Sequence, residues 1–360
     1  MRNDQRYIPL FTLLAVLLFA PCAFPQSPPQ QPASGPGGSD YPHAAISTKG
    51  PYWASGHFLD NNFTYYIYEP AKPTPTVAPI ILFIHGWLAY SPNEYMAWIS
   101  HIVRKGYVVV WVQYDAGLRP FQTFEGNAMA TWKDALNRLA TYWWEPHVRP
   151  EVNGQGGMKT AIVGHSVGGY LGAILAARAA DFRNEIPKPY AVVAIEPAGE
   201  RLILAPDFAN IDPATKMIIV VADEDDAACK ATGIAIWEGT PQIPNQNRDF
   251  LLVKSDKWGL PAQLANHFFP NTSGFGDTAA VDARDFYVTF KLSVGALNCA
   301  FRGTDCEYAL GHGRSEQVET GWWSDGVAVR PMTWVDNPNG LTTKCNYTWS
   351  DLLLFLGYKP

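Results

Sequence analysis

Charge is scarce in this chain. Only 17% of its 360 residues are Asp, Glu, Lys or Arg, the formal balance is −6, and basic residues never gather into a run. That excludes a nucleic-acid surface or a polybasic membrane patch as the basis of its function. Long apolar stretches are equally lacking. Residues 8–20 form the one sustained run, and it is too short to span a bilayer comfortably as an anchor. No internal repeat divides the chain. Cysteine is sparse, with five in the whole sequence.

What the first residues do contain is Arg2 and Arg6, then that apolar run, then Pro21, Cys22 and Ala23. Charged start, short apolar centre and small-residue exit read as a secretory signal peptide over residues 1–23, with an uncleaved signal anchor as the alternative. Pro21 weakens a lipoprotein reading at Cys22. After cleavage no stable membrane anchor remains, which places the protein outside the cytoplasm, either extracellular or periplasmic. Residues 24–45 are rich in Pro, Gln, Gly and Ser and predict a flexible linker. Residues 46–360 then form a single domain with enough apolar content for a large core. In an exported chain the remaining cysteines (Cys229, Cys299, Cys306 and Cys345) suggest two disulfides. Cys299 with Cys306 is the favoured pair, because Arg302, Gly303 and Thr304 between them can turn. Asn62, Asn271 and Asn346 each begin a glycan-acceptor tripeptide.

From residue 80 onward, apolar runs alternate with helical patterns. Aromatic and β-branched residues at 52–68 predict an opening antiparallel hairpin. Strands are expected at 80–84, 107–114, 160–163, 190–195, 217–222 and, last of all, 250–253. Helices are expected at 93–105, 124–144, 169–180, 226–237 and 283–301. This order predicts an α/β fold, a mostly parallel sheet with helices on both faces. The stretch 196–216 is too short for a large cap domain, so the site should be an open cleft.

The most informative segment is 160–169, where an apolar strand runs into Gly164-His165-Ser166-Val167-Gly168 and a small-residue helix follows at once. That context makes the pentapeptide a nucleophile elbow: Ser166 sits on a turn so tight that its neighbours two places away must lack bulk. A serine hydroxyl needs an imidazole to take its proton and a carboxylate to orient that imidazole. In this architecture they follow in the order Ser, acid, His.

Four consecutive acids, Asp223 to Asp226, stand just past the strand where the acid belongs. Asp225 has the best turn geometry, and Asp226 is the alternative. The run lacks the alternating spacing of a calcium loop. Of the eight histidines only His267 and His312 come after these acids. His267, between the last strand and the final long helix, is the favoured base, and His312 is the alternative. His165 is read as structural. The oxyanion needs two fixed N–H donors. Val167, directly after the nucleophile, supplies one. Trp87, in the Ile84-His85-Gly86-Trp87 loop after the first parallel strand, supplies the other, with His85 fixing the loop. Trp87, Tyr90 and Tyr95 could form an aromatic subsite, although core packing is the commoner use of such residues.

With His85-Gly86 after an apolar strand, the Gly164-His165-Ser166-Val167-Gly168 elbow, and an acid and His267 in order, the chain resembles the α/β-hydrolase superfamily over about residues 50–300. Within it, the short cap region and the His-Gly loop are similar to the dienelactone-hydrolase, chlorophyllase and cutinase-like branches. Dienelactone hydrolases use a cysteine nucleophile, so the serine here points to an ordinary esterase. The resemblance implies cleavage of small-molecule, lipid or polyester esters through a serine acyl-enzyme, with no cofactor and no metal. A peptidase or amidase on the same triad, and a non-catalytic binding protein on this scaffold, are the competing readings. The segment after Phe301, including Trp323-Ser324-Asp325-Gly326, matches no motif.

Overall fold

The computed structural model describes residues 25–343 apart from 118, 183, 275 and 277. The expected leader, Cys345 and the Asn346 acceptor lie outside the described residues. The chain opens with strands β1 (Ala45–Trp53) and β2 (Thr64–Ala71), followed by β3 (Ile80–Ile84), helix α1 (Met96–Arg104), β4 (Val108–Val112) and α2 (Phe124–Thr141). Then come β5 (Thr160–His165), α3 (Val167–Arg178), β6 (Ala191–Ile195), β7 (Lys216–Ala222), α4 (Ala231–Glu238), β8 (Arg248–Val253) and α5 (Lys291–Arg302), with a short edge strand β9 (Thr333–Trp334) near the end. These nine strands form one sheet in the order β1-β2-β4-β3-β5-β6-β7-β8-β9, and two further short strands, Val77–Ala78 and Arg149–Pro150, pair with each other apart from it. Neighbours from β4 to β8 are parallel, while β1, β2 and β9 join antiparallel.

The sequence dictates this sandwich directly. Ile80, Leu82 and Ile84 point into one core with Trp132 and Leu136 of α2 and Leu171 and Ile174 of α3. Ile81 and Phe83 point the other way, toward Trp98 and Ile102 of α1 and Leu292 and Leu297 of α5. A strand with apolar side chains on both faces needs a helix layer on each. Each such fully buried side chain contributes roughly 1.5–3 kcal/mol. Helix α3 is buried from Val167 to Ala177, and its small residues let it lie close on the sheet. Gly172, for instance, leaves only enough room for a Cβ 3.0 Å from Ile162 Cγ2.

Several expectations need correction. Residues 25–44 are laid along the domain instead of forming a flexible linker. His101 Nε2 donates to Pro36 O at 2.7 Å, and Lys105 Nζ reaches Gly35 O at 2.8 Å and Asp40 Oδ1 at 2.5 Å. Prolines limit the entropy this segment loses on ordering, so a few such bonds suffice. The helix expected from residue 226 begins only at Ala231, because Cys229 and Lys230 adopt positive φ (59° and 64°) and close a turn first. The final helix is entered through a π-helical turn, Asp285–Phe290. β8 is not the outermost strand, since β9 returns along it with Leu251 opposite Trp334. The Cys299–Cys306 disulfide is present, and Cys229 is disulfide-bonded as well. Asn62 and Asn271 are buried, with the Asn62 side chain held between Asp60 and the Ala116 N–H.

Candidate active site

Three loops leave the carboxyl edge of the sheet and converge. The first is the turn from β5 into α3. Ser166 has φ 56° and ψ −127°, a strained conformation for a residue with a Cβ. The glycines two places away are required by contact distance. A Cβ on Gly164 would stand 2.3 Å from Gly168 O, and one on Gly168 would stand 2.2 Å from Ile84 O. The elbow therefore presses directly on the end of β3. Val167 is the first residue of α3, so no intrahelical carbonyl can reach its N–H.

The second loop follows β7 and carries the acids. Each of the first three finds its own partner. Asp223 Oδ1 accepts the Ser255 N–H at 2.9 Å, and Glu224 pairs with Lys257 at 2.7 Å. Asp225 Oδ1 accepts the Ala227 and Ala228 N–H groups, both at 2.8 Å, which leaves Oδ2 for an imidazole. The third loop runs from β8 to His267. His267 Nδ1 stands 3.0 Å from Asp225 Oδ2 and its Nε2 stands 2.8 Å from Ser166 Oγ. With Nδ1–H donating to the carboxylate, Nε2 is free to accept from the serine hydroxyl. Burial raises the Asp225 carboxyl, but the facing His267 and the two N–H donors outweigh it and hold the group below its ordinary value.

Of the residues singled out from the sequence, the structure thus brings together Ser166, Asp225 and His267. It does not bring in His312. That ring bonds Asp249 Oδ1 at 2.7 Å, and Asp249 lies near the amino end of β8, the far edge of the sheet. Asp226 is adjacent to the acid that meets His267 but is not that acid.

The Gly86–Trp87 loop packs on the elbow. A Cβ on Gly86 would come 3.2 Å from Ser166 Cβ. Trp87 is buried and its indole Nε1 donates to Asp115 Oδ2 at 3.0 Å, fixing the main chain beside Ser166. His85 donates to Gly86 O at 2.7 Å and stacks on Tyr114. Full burial lowers its imidazole to about 4, so it stays neutral. Tyr95 is buried rather than cleft-facing: its hydroxyl accepts the Gly86 N–H at 2.9 Å and donates to His165 Nδ1 at 2.8 Å. His165 in turn donates through Nε2 to His267 O at 3.0 Å. Burial, and next the charge on His267, drive the His165 imidazole well below its ordinary value, which suits a neutral ring relaying two hydrogen bonds.

One neighbour escaped the sequence reading. Glu196, at the end of β6 with φ 46°, is completely buried, and neither carboxyl oxygen has a hydrogen-bond partner. Oε2 lies 3.6 Å from His165 Nε2, beyond bonding distance. Burial, reinforced by the Asp225 charge, pushes this carboxyl well above its ordinary value, so it is held neutral. The available signal was an acid placed directly after an all-apolar strand. His165, Glu196 and His267 offer ligand atoms within 4.8 Å of one another, yet their ring nitrogens are already engaged with Tyr95, Asp225, Ser166 and the His267 carbonyl. A metal there would have to break those bonds.

A model of the chlorophyllase family matches residues 64–204, from β2 through the loop after β6. The match includes the His85–Gly86 loop and Ser166, and stops short of Asp225 and His267. No curated protein matches the chain. The chlorophyllase family is of α/β-hydrolase type, and that match together with the β1-β2-β4-β3-β5-β6-β7-β8 sheet order makes this chain an α/β-hydrolase-fold protein.

Proposed function

We propose that the chain is a secreted serine hydrolase of carboxylic esters. Ser166 attacks the ester carbonyl while His267 takes its proton. His267 then passes that proton to the leaving alcohol. Asp225 holds the imidazole tautomer and stabilises the imidazolium. The Trp87 and Val167 N–H groups receive the tetrahedral oxyanion, each contributing about 2.7–4 kcal/mol. Water repeats the cycle on the acyl-enzyme. The similarity to chlorophyllases favours ester over amide bonds.

The observation that carries this reading is the continuous bonding from Ser166 Oγ to His267 to Asp225, between residues 101 and 42 positions apart in sequence. A scaffold used only for binding has no need for it. The secreted location is supported by the charged, apolar, small-residue order of residues 1–23 and by the disulfides.

The test is labelling by a fluorophosphonate together with turnover of a short p-nitrophenyl ester. Labelling at Ser166, burst release of p-nitrophenol, and loss of both in Ser166→Ala are expected. A wild-type chain that neither labels nor cleaves any ester would end the proposal. Faster cleavage of a matched anilide than of the ester would turn it into an amidase.

A further inference from the structure

The His267 loop is long and has little regular structure of its own. It leaves β8 at Val253, closes a small hairpin in which Asp256 and Gln263 exchange main-chain hydrogen bonds at 2.8 Å, and then reaches His267. At its base, Arg284 is buried and donates through Nη2 to Lys254 O at 2.5 Å and Gln263 O at 2.8 Å, stapling the two arms together. Ser255 Oγ accepts the Ala265 N–H at 2.8 Å. The tip, with Trp258 and Leu260 largely exposed, has no core to hold it.

Two segments distant in sequence hold that tip. Gln26 O accepts the Leu260 N–H at 2.9 Å. Trp258 Nε1 donates to Asp325 Oδ2 at 2.9 Å. Ser27 and Ser324 bond each other twice, Ser27 N–H to Ser324 Oγ at 3.0 Å and Ser324 N–H to Ser27 O at 3.1 Å. Both segments press on Gly259, where a Cβ would lie 2.3 Å from Gln26 O and 2.4 Å from the Trp323 ring. Arg330 N–H donates to Asp256 Oδ2 at 2.8 Å, so the same C-terminal segment also grips the hairpin base. The N-terminal strand of this clasp is fastened further along, by Pro29 against Gly321 and by Tyr287 Oη donating to Gln30 O at 3.2 Å.

We infer that residues 26–30 and 322–330 form a two-sided strap that positions the loop bearing His267, resting on the hydrolase reading given above for its effect on turnover. The segment that composition marks as a linker, and the segment that matched no motif, then have one shared task. A displacement of about 1 Å in a catalytic group can cost on the order of a hundredfold in rate. None of these strap hydrogen bonds reaches Ser166, Asp225 or His267 themselves, so its loss is expected to act on kcat more than on KM.

The test uses the full chain in three variants. Gly259→Ala forces a methyl between Gln26, Trp323 and the loop. Ser324→Ala deletes only the hydroxyl that Ser27 and Gln26 bond. Leu136→Ala, in the core of α2 away from the loop, is the control for lost stability alone. Deuterium exchange over residues 254–267 is expected to quicken about tenfold in Gly259→Ala, with kcat on a p-nitrophenyl ester down about tenfold and KM within about twofold. Ser324→Ala should move both the same way by a smaller factor, and Leu136→Ala should move neither while lowering the thermal midpoint. Unchanged exchange over 254–267 in both strap variants, or an equal fall in kcat in Leu136→Ala, overturns the proposal. If Gly259→Ala does not fold, Ser324→Ala decides. If the wild type cleaves no ester, the hydrolase reading fails separately, and exchange alone judges the strap.

Discussion

His165 Nε2 donates to the main-chain carbonyl of His267 at 3.0 Å. The residue before the proposed nucleophile therefore holds the backbone of the residue that faces it, and Tyr95 locks His165 from the other side at 2.8 Å. The ring must stay neutral to do this, donating from one nitrogen and accepting at the other. His165→Asn keeps a donor but cannot span both contacts, so we expect a fall in kcat of about tenfold or more with the Ser166 main chain unchanged, read by steady-state kinetics and a structure of the variant.

The three bonded residues should fail together. Ser166→Ala and His267→Ala are each expected to remove on the order of 10⁶ in kcat, and Asp225→Asn about 10⁴, because the members of such a set act as one unit. The double variant Ser166→Ala with His267→Ala should be no worse than either alone. Additive losses in the ester assay would show that the two do not share a mechanism.

Glu196 gives a stability test with a definite sign. Its folded-state pKa is raised, so the proton it keeps stabilises the fold below its unfolded value, and that contribution is lost as pH rises from there toward the folded value. Gln at this position has no proton to keep. Relative to wild type, Glu196→Gln should therefore gain stability with rising pH above about 4.3, by up to about 1.4 kcal/mol per pH unit until the folded pKa is passed. Urea unfolding at pH 4, 6 and 8 measures this (the pH values are about those needed to bracket the window). A pH-independent difference would mean that the carboxyl is ionised in the fold.

Asp249 should matter to folding and not to chemistry. Its carboxylate accepts from His312 Nδ1 at 2.7 Å, Gln317 Nε2 at 2.6 Å and Trp334 Nε1 at 2.8 Å, tying the chain after α5 back onto β8. Asp249→Ala removes the acceptor of four donors, the His312 main-chain N–H among them, and should cost about 3–5 kcal/mol in chemical denaturation. Fluorophosphonate labelling of the folded fraction should keep its rate, and so should His312→Ala, since that ring lies at the opposite edge from Ser166.

Legibility in the sequence followed the range of the interactions. The elbow could be read because Gly164 and Gly168 answer a local demand: their missing Cβ atoms would strike main-chain oxygens. The parallel strands were plain because two covered faces leave no polar position in Ile80–Ile84 or Val108–Val112. Among the four acids the choice stayed open, for it depends on partners far along the chain: Ser255 takes Asp223, Lys257 takes Glu224 and His267 takes Asp225. The ordered N-terminal segment could not be foreseen from its own composition. Its key contact, Ser324 Oγ with Gln26 Oε1, spans 298 positions, and a pairing of that span leaves no periodic trace. β9 was hidden for the same reason, being a two-residue strand recruited by β8 and by Asp249.

The burial of Asn62 and Asn271 bears on how the protein is to be produced. Oligosaccharide transfer acts on nascent polypeptide, before tertiary packing hides an acceptor. A sugar placed on either asparagine would have to be accommodated where the finished molecule buries the side chain, so a glycosylating host is expected to yield less folded protein. A bacterial host that exports to an oxidising compartment joins the cysteines without adding carbohydrate, and is the expression route this architecture calls for.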